Sequence, residues 1–164
     1  MADRGTRYRF GLVILILIGL HFYLRPRLWD ARIAPDFFML ALMLYAIRTR
    51  PGNAAVAGFL VGITADALTP ARFGAGALAH TLVGYLAAWG RAVFFADNLL
   101  VHAGFIGVGV WLRNFVVLVS SGASARQVFV NLVTWSLLQA LTTAVAGVIT
   151  LIVFRDWLSI RLDE

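Results

Sequence analysis

Hydrophobic positions along the chain gather into long runs separated by short clusters of arginine, proline, glycine and asparagine. Cutting at those clusters predicts six apolar helices, near residues 10–24, 34–47, 54–69, 75–89, 98–119 and 127–154. At 1.5 Å per residue the second and fourth reach only roughly 20–25 Å, less than a ~30 Å hydrocarbon core, so each must borrow flanking residues or sit in thinned bilayer. The sixth is long enough to tilt. Turn chemistry at Arg25-Pro26-Arg27, Arg48-Thr49-Arg50-Pro51-Gly52-Asn53, Thr69-Pro70 and Ser120-Ser121-Gly122 marks the boundaries, and Pro35 and Pro51 suit first helical turns. No stretch leaves room for a soluble domain, so residues 1–164 read as one integral membrane domain. The first run follows Arg4, Arg7 and Arg9 and looks superficially like a secretion signal. Arg25-Pro26-Arg27 stands where a small-x-small cleavage site would be needed, so the run is expected to be retained.

Composition agrees. Of 164 residues, 61% are apolar and 13% charged, with a mean hydropathy of +0.85, against about 45–50% and about 25% in average globular chains. The net charge of +6 and pI near 11 would suggest a nucleic-acid partner in a soluble protein. Here the basic residues, all arginine, lie between apolar runs except Arg113, which falls within the fifth; those between runs set orientation, and no nucleic-acid partner is expected. A cytoplasmic N-terminus puts Arg4, Arg7, Arg9, Arg48, Arg50, Arg91, Arg155 and Arg161 inside and Arg25, Arg27, Arg32, Arg72 and Arg126 outside. Eight against five favours that orientation, with both termini cytoplasmic. Trp29, Trp89 and Trp157 fall at run ends, the headgroup level that indoles prefer. Absence of cysteine excludes disulfides, thiolate catalysis and cysteine metal sites. The fold class is an all-α polytopic membrane protein with six transmembrane helices.

Polar residues inside such runs carry the functional information, because each costs roughly 2.5–3.5 kcal/mol near the bilayer centre unless paired or wet. They are Asp36, Asp66, His80, His102, Arg113, Asn114, Asn131 and Gln139. Asp36, Asp66, His80 and Arg113 come from four different helices and share the outer half of the bilayer. They form either a polar cavity or partner seat opening outward, or an internal ion pair that locks the bundle, with Asp66 and Arg113 the candidate partners. Gly58 and Gly62, with Asp66 four residues further on, make a smooth stripe against which another backbone can pack, from this chain or from a partner. Phe73-Gly74-Ala75-Gly76 reads as a tight outer turn using the positive φ open to glycine, not as a phosphate loop, since the Lys and Ser/Thr of a P-loop are missing. Asn131, Trp135 and Gln139 recur at helical spacing and are expected to bond to neighbouring helices. His21, His80 and His102 are placed at different depths, so no metal site is expected; no serine stands beside His80 and no paired aspartates occur in a protease-like glycine context, so no catalytic residue and no cofactor is expected.

Pro35-Asp36, the short helix ending in Arg48-Thr49-Arg50-Pro51, the string Gly58-Phe59-Leu60-Val61-Gly62-Ile63-Thr64-Ala65-Asp66-Ala67-Leu68, then Phe73-Gly74-Ala75-Gly76-Ala77-Leu78 and Leu82-Val83-Gly84-Tyr85-Leu86 resemble the rod shape-determining protein MreD family, best over residues 34–90. The resemblance implies a multi-pass subunit of the bacterial cytoplasmic membrane that binds MreC and, with it, links MreB filaments to RodA and its penicillin-binding transpeptidase. It also implies a fold similar to the substrate-binding subunits of energy-coupling-factor transporters. Asp36 and Asp66 match the family's outer-mouth polar positions, and Gly58, Gly62 and Gly74 its glycines. The expected role is a scaffold whose Gly58–Gly62–Asp66 face receives the MreC helix; the alternative is a binding subunit for a small molecule, vitamin or lipid headgroup.

Overall fold

The computed structural model describes residues 4–28, 30–70, 73–90 and 99–158. Trp29, Arg72, Arg91 and Arg161, to which the sequence gives interfacial or topological roles, lie outside them, as does the charged tail after residue 158. Among the described residues all regular structure is helical: α1 (Arg4–Tyr23), a 3-10 turn at Arg25–Arg27, α2 (Phe37–Ala46), α3 (Pro51–Ala67), α4 (Ala75–Trp89), α5 (Leu99–Ser120), α6 (Ala125–Val133), α7 (Trp135–Val153) and the single turn α8 (Arg155–Leu158).

Among the described residues three stretches are long and apolar enough to cross a bilayer unaided: Arg7–Arg27, Leu99–Ser120 and Ala125–Val153. Helices α2, α3 and α4 have 10, 17 and 15 residues, or about 15, 25 and 22 Å. The shortest is also the most enclosed. Nine of the ten residues of α2 are buried, because it touches α1, α3, α4, α5 and α7. A helix apolar on every side belongs in a core, and α2 supplies both halves of this one. Met39, Leu42, Met43 and Ala46 pack with Ala54, Val83, Ala87 and Val110, while Phe37, Leu40, Ala41 and Leu44 pack with Val13, Leu17, Ile106, Leu151 and Leu158. The outward faces of the other helices are apolar and exposed, as at Leu15 on α1, Leu60 on α3, Leu82 on α4, Val108 on α5 and Leu141 on α7.

The last apolar run is not one tilted helix. It breaks at Thr134, whose ψ of −76° departs from helical geometry. The Thr134 hydroxyl bonds back to the Val130 carbonyl, a contact that bends helices, and the Leu132 carbonyl accepts the Trp111 indole N–H at 3.3 Å. At the opposite end from Asp36, Arg48 donates to the Leu158 carbonyl and lies over the Phe10 ring at 4.5 Å, tying α8 under α1 and α2. Burial lowers the Arg48 guanidinium below the usual arginine range, yet arginine keeps its charge in proteins.

Helices α3 and α4 form the tightest antiparallel pair. The buried residues of α3 are Ala54, Gly58, Gly62 and Asp66, one every four positions, and α4 answers with Gly84, His80 and Gly76. A Cβ built on Gly58 would lie 2.2 Å from the His80 carbonyl oxygen, one on Gly62 2.5 Å from Ala77 Cα, and one on Gly84 2.6 Å from the Ala54 carbonyl oxygen. Glycine is needed at these positions for backbone proximity, not for unusual dihedrals. The stripe read as a possible seat for another chain's helix is therefore occupied by α4 of the same chain.

Candidate functional site

The polar residues concentrate at one end of the bundle, around a cavity of about 790 Å³. His21 on α1, Arg25 in the 3-10 turn, Asp36 at the head of α2, Asp66 near the end of α3, His80 on α4 and Arg113 on α5 all line it. The four residues singled out in the sequence are brought together there, and two others, His21 and Arg25, join them. His102 is buried elsewhere on α5.

Asp36 organises the head of α2. Its Oδ1 accepts the Met39 N–H at 3.0 Å, an N-cap that satisfies one of the orphan donors of the first turn. The Phe38 N–H, another of those donors, goes to His21 Nδ1 at 3.1 Å; the imidazole stacks flat on the Phe38 ring, centroids 3.7 Å apart. Asp36 Oδ2 is held by the Arg113 guanidinium, and the Asp36 N–H donates to Thr143 Oγ1 at 3.0 Å. The segment before α2 is strapped to α7 by three side chains in sequence: Gln139 Nε2 to the Ala34 carbonyl at 3.3 Å, the Thr142 hydroxyl to the Ile33 carbonyl at 2.6 Å, and Thr143 to Asp36. Asn114 Nδ2 closes the network on Gln139 Oε1 at 2.8 Å.

Asp66 does something different from what its sequence context suggests. It does not pair with Arg113. Its Oδ2 accepts the N–H groups of Gly74 and Ala77, and its Oδ1 that of Gly76, each at 2.9 Å. The carboxylate thus caps the N-terminus of α4 from the neighbouring helix, where the helix dipole favours negative charge. Gly74, at φ 95°, supplies the left-handed corner that points these amides at Asp66, and Gly76 leaves room for the carboxyl, since a Cβ there would meet Oδ1 at 2.3 Å. Phe73 beside it is exposed. His80 Nδ1 bonds the Gly76 carbonyl at 2.8 Å.

This arrangement predicts how Asp66 responds to mutation. Asp66→Asn leaves one amide facing the N–H groups and should cost about 1–3 kcal/mol of stability. Combined with Arg113→Gln the losses should add to within about 0.5 kcal/mol, as read by thermal unfolding in detergent; partial rescue in the double variant would restore a direct Asp66–Arg113 pair.

Sequence reasoning missed three contributors. Position along the runs places His21 and His80 at different depths, yet both line the cavity. Arg25 reads as an orientation charge in a loop, yet its NH2 bonds the Ala31 carbonyl at 3.3 Å and the residue lines the cavity. The Thr142-Thr143 pair in the last apolar run was a visible signal, two hydroxyls in a segment otherwise rich in Leu, Ala and Val. Of the Asn131–Trp135–Gln139 stripe, only Gln139 makes the interhelical polar bonds; Asn131 bonds the Gln127 carbonyl of its own helix, and Trp135 lies under the Arg32 guanidinium, 5.0 Å from the ring centre. Among the described residues no group of three or more metal-ligating side chains comes together.

Comparison with curated proteins and with solved structures finds no significant match. Family comparison does: residues 5–158 match the family described as rod shape-determining protein MreD. With all but a few terminal residues covered, the chain belongs to the MreD family.

Proposed function

We propose that the chain is a non-catalytic scaffold subunit of the bacterial cell-elongation complex, seated in the cytoplasmic membrane and binding MreC, with MreB, RodA and a penicillin-binding transpeptidase in the wider assembly. The single observation that carries this reading is the family match over residues 5–158. The family is a shape-determining one, not a known enzyme family, and its membership together with the apolar helices points to a membrane protein. The arginine asymmetry supports cytoplasmic termini, which would open the cavity outward. Because α4 covers Gly58 and Gly62, the MreC transmembrane helix is assigned to the apolar perimeter of the bundle.

The cavity favours a second reading, a substrate-binding membrane subunit with an energy-coupling-factor-like fold, since largely apolar pockets of roughly 300–1,000 Å³ with a few convergent polar groups commonly hold small molecules. Depletion in a rod-shaped host separates the two. The scaffold reading expects rounded cells, restored to rods by re-expression, and recovery of MreC with the tagged protein. Cells that stay rod-shaped while losing uptake of a nutrient would replace it with the transport reading.

A further inference from the structure

The cavity wall carries donors that its two carboxylates do not reach. Both oxygens of Asp66 are taken by α4 amides. Those of Asp36 are taken by the Met39 N–H and by Arg113. The two carboxylates balance two arginines in formal charge, but none of their oxygens is left unengaged. Among the described residues, Arg25 Nε and Arg113 Nε are buried without an acceptor. His21 adds a third donor. Its Nδ1 already accepts from the Phe38 N–H, so a neutral ring carries its proton on Nε2. That nitrogen stands 3.2 Å from Arg25 NH1, and two N–H groups cannot bond one another. Donor faces donor, and an acceptor held in the cavity that both residues line would take both N–H groups.

A buried donor left unmet bears the full desolvation penalty of its group, and more so when it is charged. The group that best satisfies two guanidiniums and an imidazole N–H is one that offers acceptors and negative charge together. We infer that this cavity binds an oxyanion of the phosphoryl type, carried by a lipid headgroup or free in solution, on Arg25, Arg113 and His21. The lining is otherwise apolar, with Phe22, Pro26, Phe38, Leu68 and Val117, and Phe22 and Leu68 are also exposed on the outside of the bundle. An acyl chain could therefore leave the cavity over these two side chains. The assignment does not depend on the scaffold reading.

The test uses the full chain in detergent with three probes: dioctanoyl phosphatidic acid, inorganic phosphate and dioctanoylglycerol. Phosphatidic acid at about a hundredfold over its Kd should raise Tm by about 5 °C or more, and dioctanoylglycerol by far less. Arg25→Met removes an unmet donor while keeping an apolar stem, so it should melt at or above the parent protein yet bind phosphatidic acid at least about tenfold more weakly. Arg25→Gln carries the same binding expectation, so a folding defect in one variant does not decide the outcome. Stabilisation by inorganic phosphate as well identifies the free anion as sufficient, and stabilisation by phosphatidic acid alone assigns the lipid. Equal shifts with dioctanoylglycerol, no shift with either phosphorylated probe, or undiminished affinity in a folded Arg25 variant would overturn the assignment.

Discussion

Gly62→Leu should abolish the folded bundle, and even Gly62→Ala should lower its stability by about 3 kcal/mol or more. The usual penalty for an added methylene in a packed core is about 1–3 kcal/mol, absorbed by shifts in side chains. Here nothing flexible is in the way. A Cβ on Gly62 meets Ala77 Cα, the Gly76 carbonyl oxygen and the Ala77 nitrogen, all backbone and all within 2.7 Å. Helix α4 must therefore move as a body, which pulls the Gly74, Gly76 and Ala77 amides off Asp66. Gly58→Ala should behave in the same way, since its Cβ meets the His80 carbonyl. Gly19 and Gly52 have nothing within 4 Å of a built Cβ. Alanine at either should be neutral or stabilising by up to about 1 kcal/mol, as helix propensity alone predicts. Thermal unfolding and size-exclusion profiles of the four alanine variants check this; a Gly62→Ala protein as stable as Gly19→Ala would contradict the packing described.

Asp36→Asn should be the next most damaging change, at about 3–5 kcal/mol, because it strands the Arg113 charge at a site where Asp36 is 2% exposed and Arg113 14%. Arg113→Met should cost a similar amount by stranding the carboxylate. The double variant should be far less damaged than the two losses added together, since neither charge is then buried alone. A double-mutant cycle on Tm with coupling below about 0.5 kcal/mol would show that the pair does not hold α2 to α5.

The sequence made the polar positions visible and left their partners hidden, and the two aspartates show why. An intramembrane carboxylate announces itself by its cost. What neutralises it can be a side chain, which has a letter, or backbone amides, which have none. Asp36 found Arg113, and both letters can be read. Asp66 found three peptide N–H groups, which only the three-dimensional corner at Gly74 aims at it. The glycine stripe on α3 was legible for the same reason as the charges: small residues every fourth position stand out in an apolar run. Whether the approaching backbone came from within or outside the chain was not, because a smooth face carries no record of what covers it. The break at Thr134 left no mark either, with neither proline nor glycine beside it. Arg25 was misjudged by a rule that otherwise works, since arginines between apolar runs do set orientation and this one also turns inward.

The enclosure of α2 has a consequence for the order in which the protein is made. Its ten residues are too short to settle across a bilayer by themselves, and the Arg113 that holds its N-cap residue, Asp36, does not exist until α5 has been synthesised. The Thr143 hydroxyl that receives the Asp36 N–H follows 107 residues later, in the last long helix. Until then the newly made α2 must wait beside α1 and the α3–α4 hairpin with a carboxylate still to be matched. A chain released before α7 would lack Gln139, Thr142 and Thr143, and the segment that leads into α2 would have nothing to strap it down.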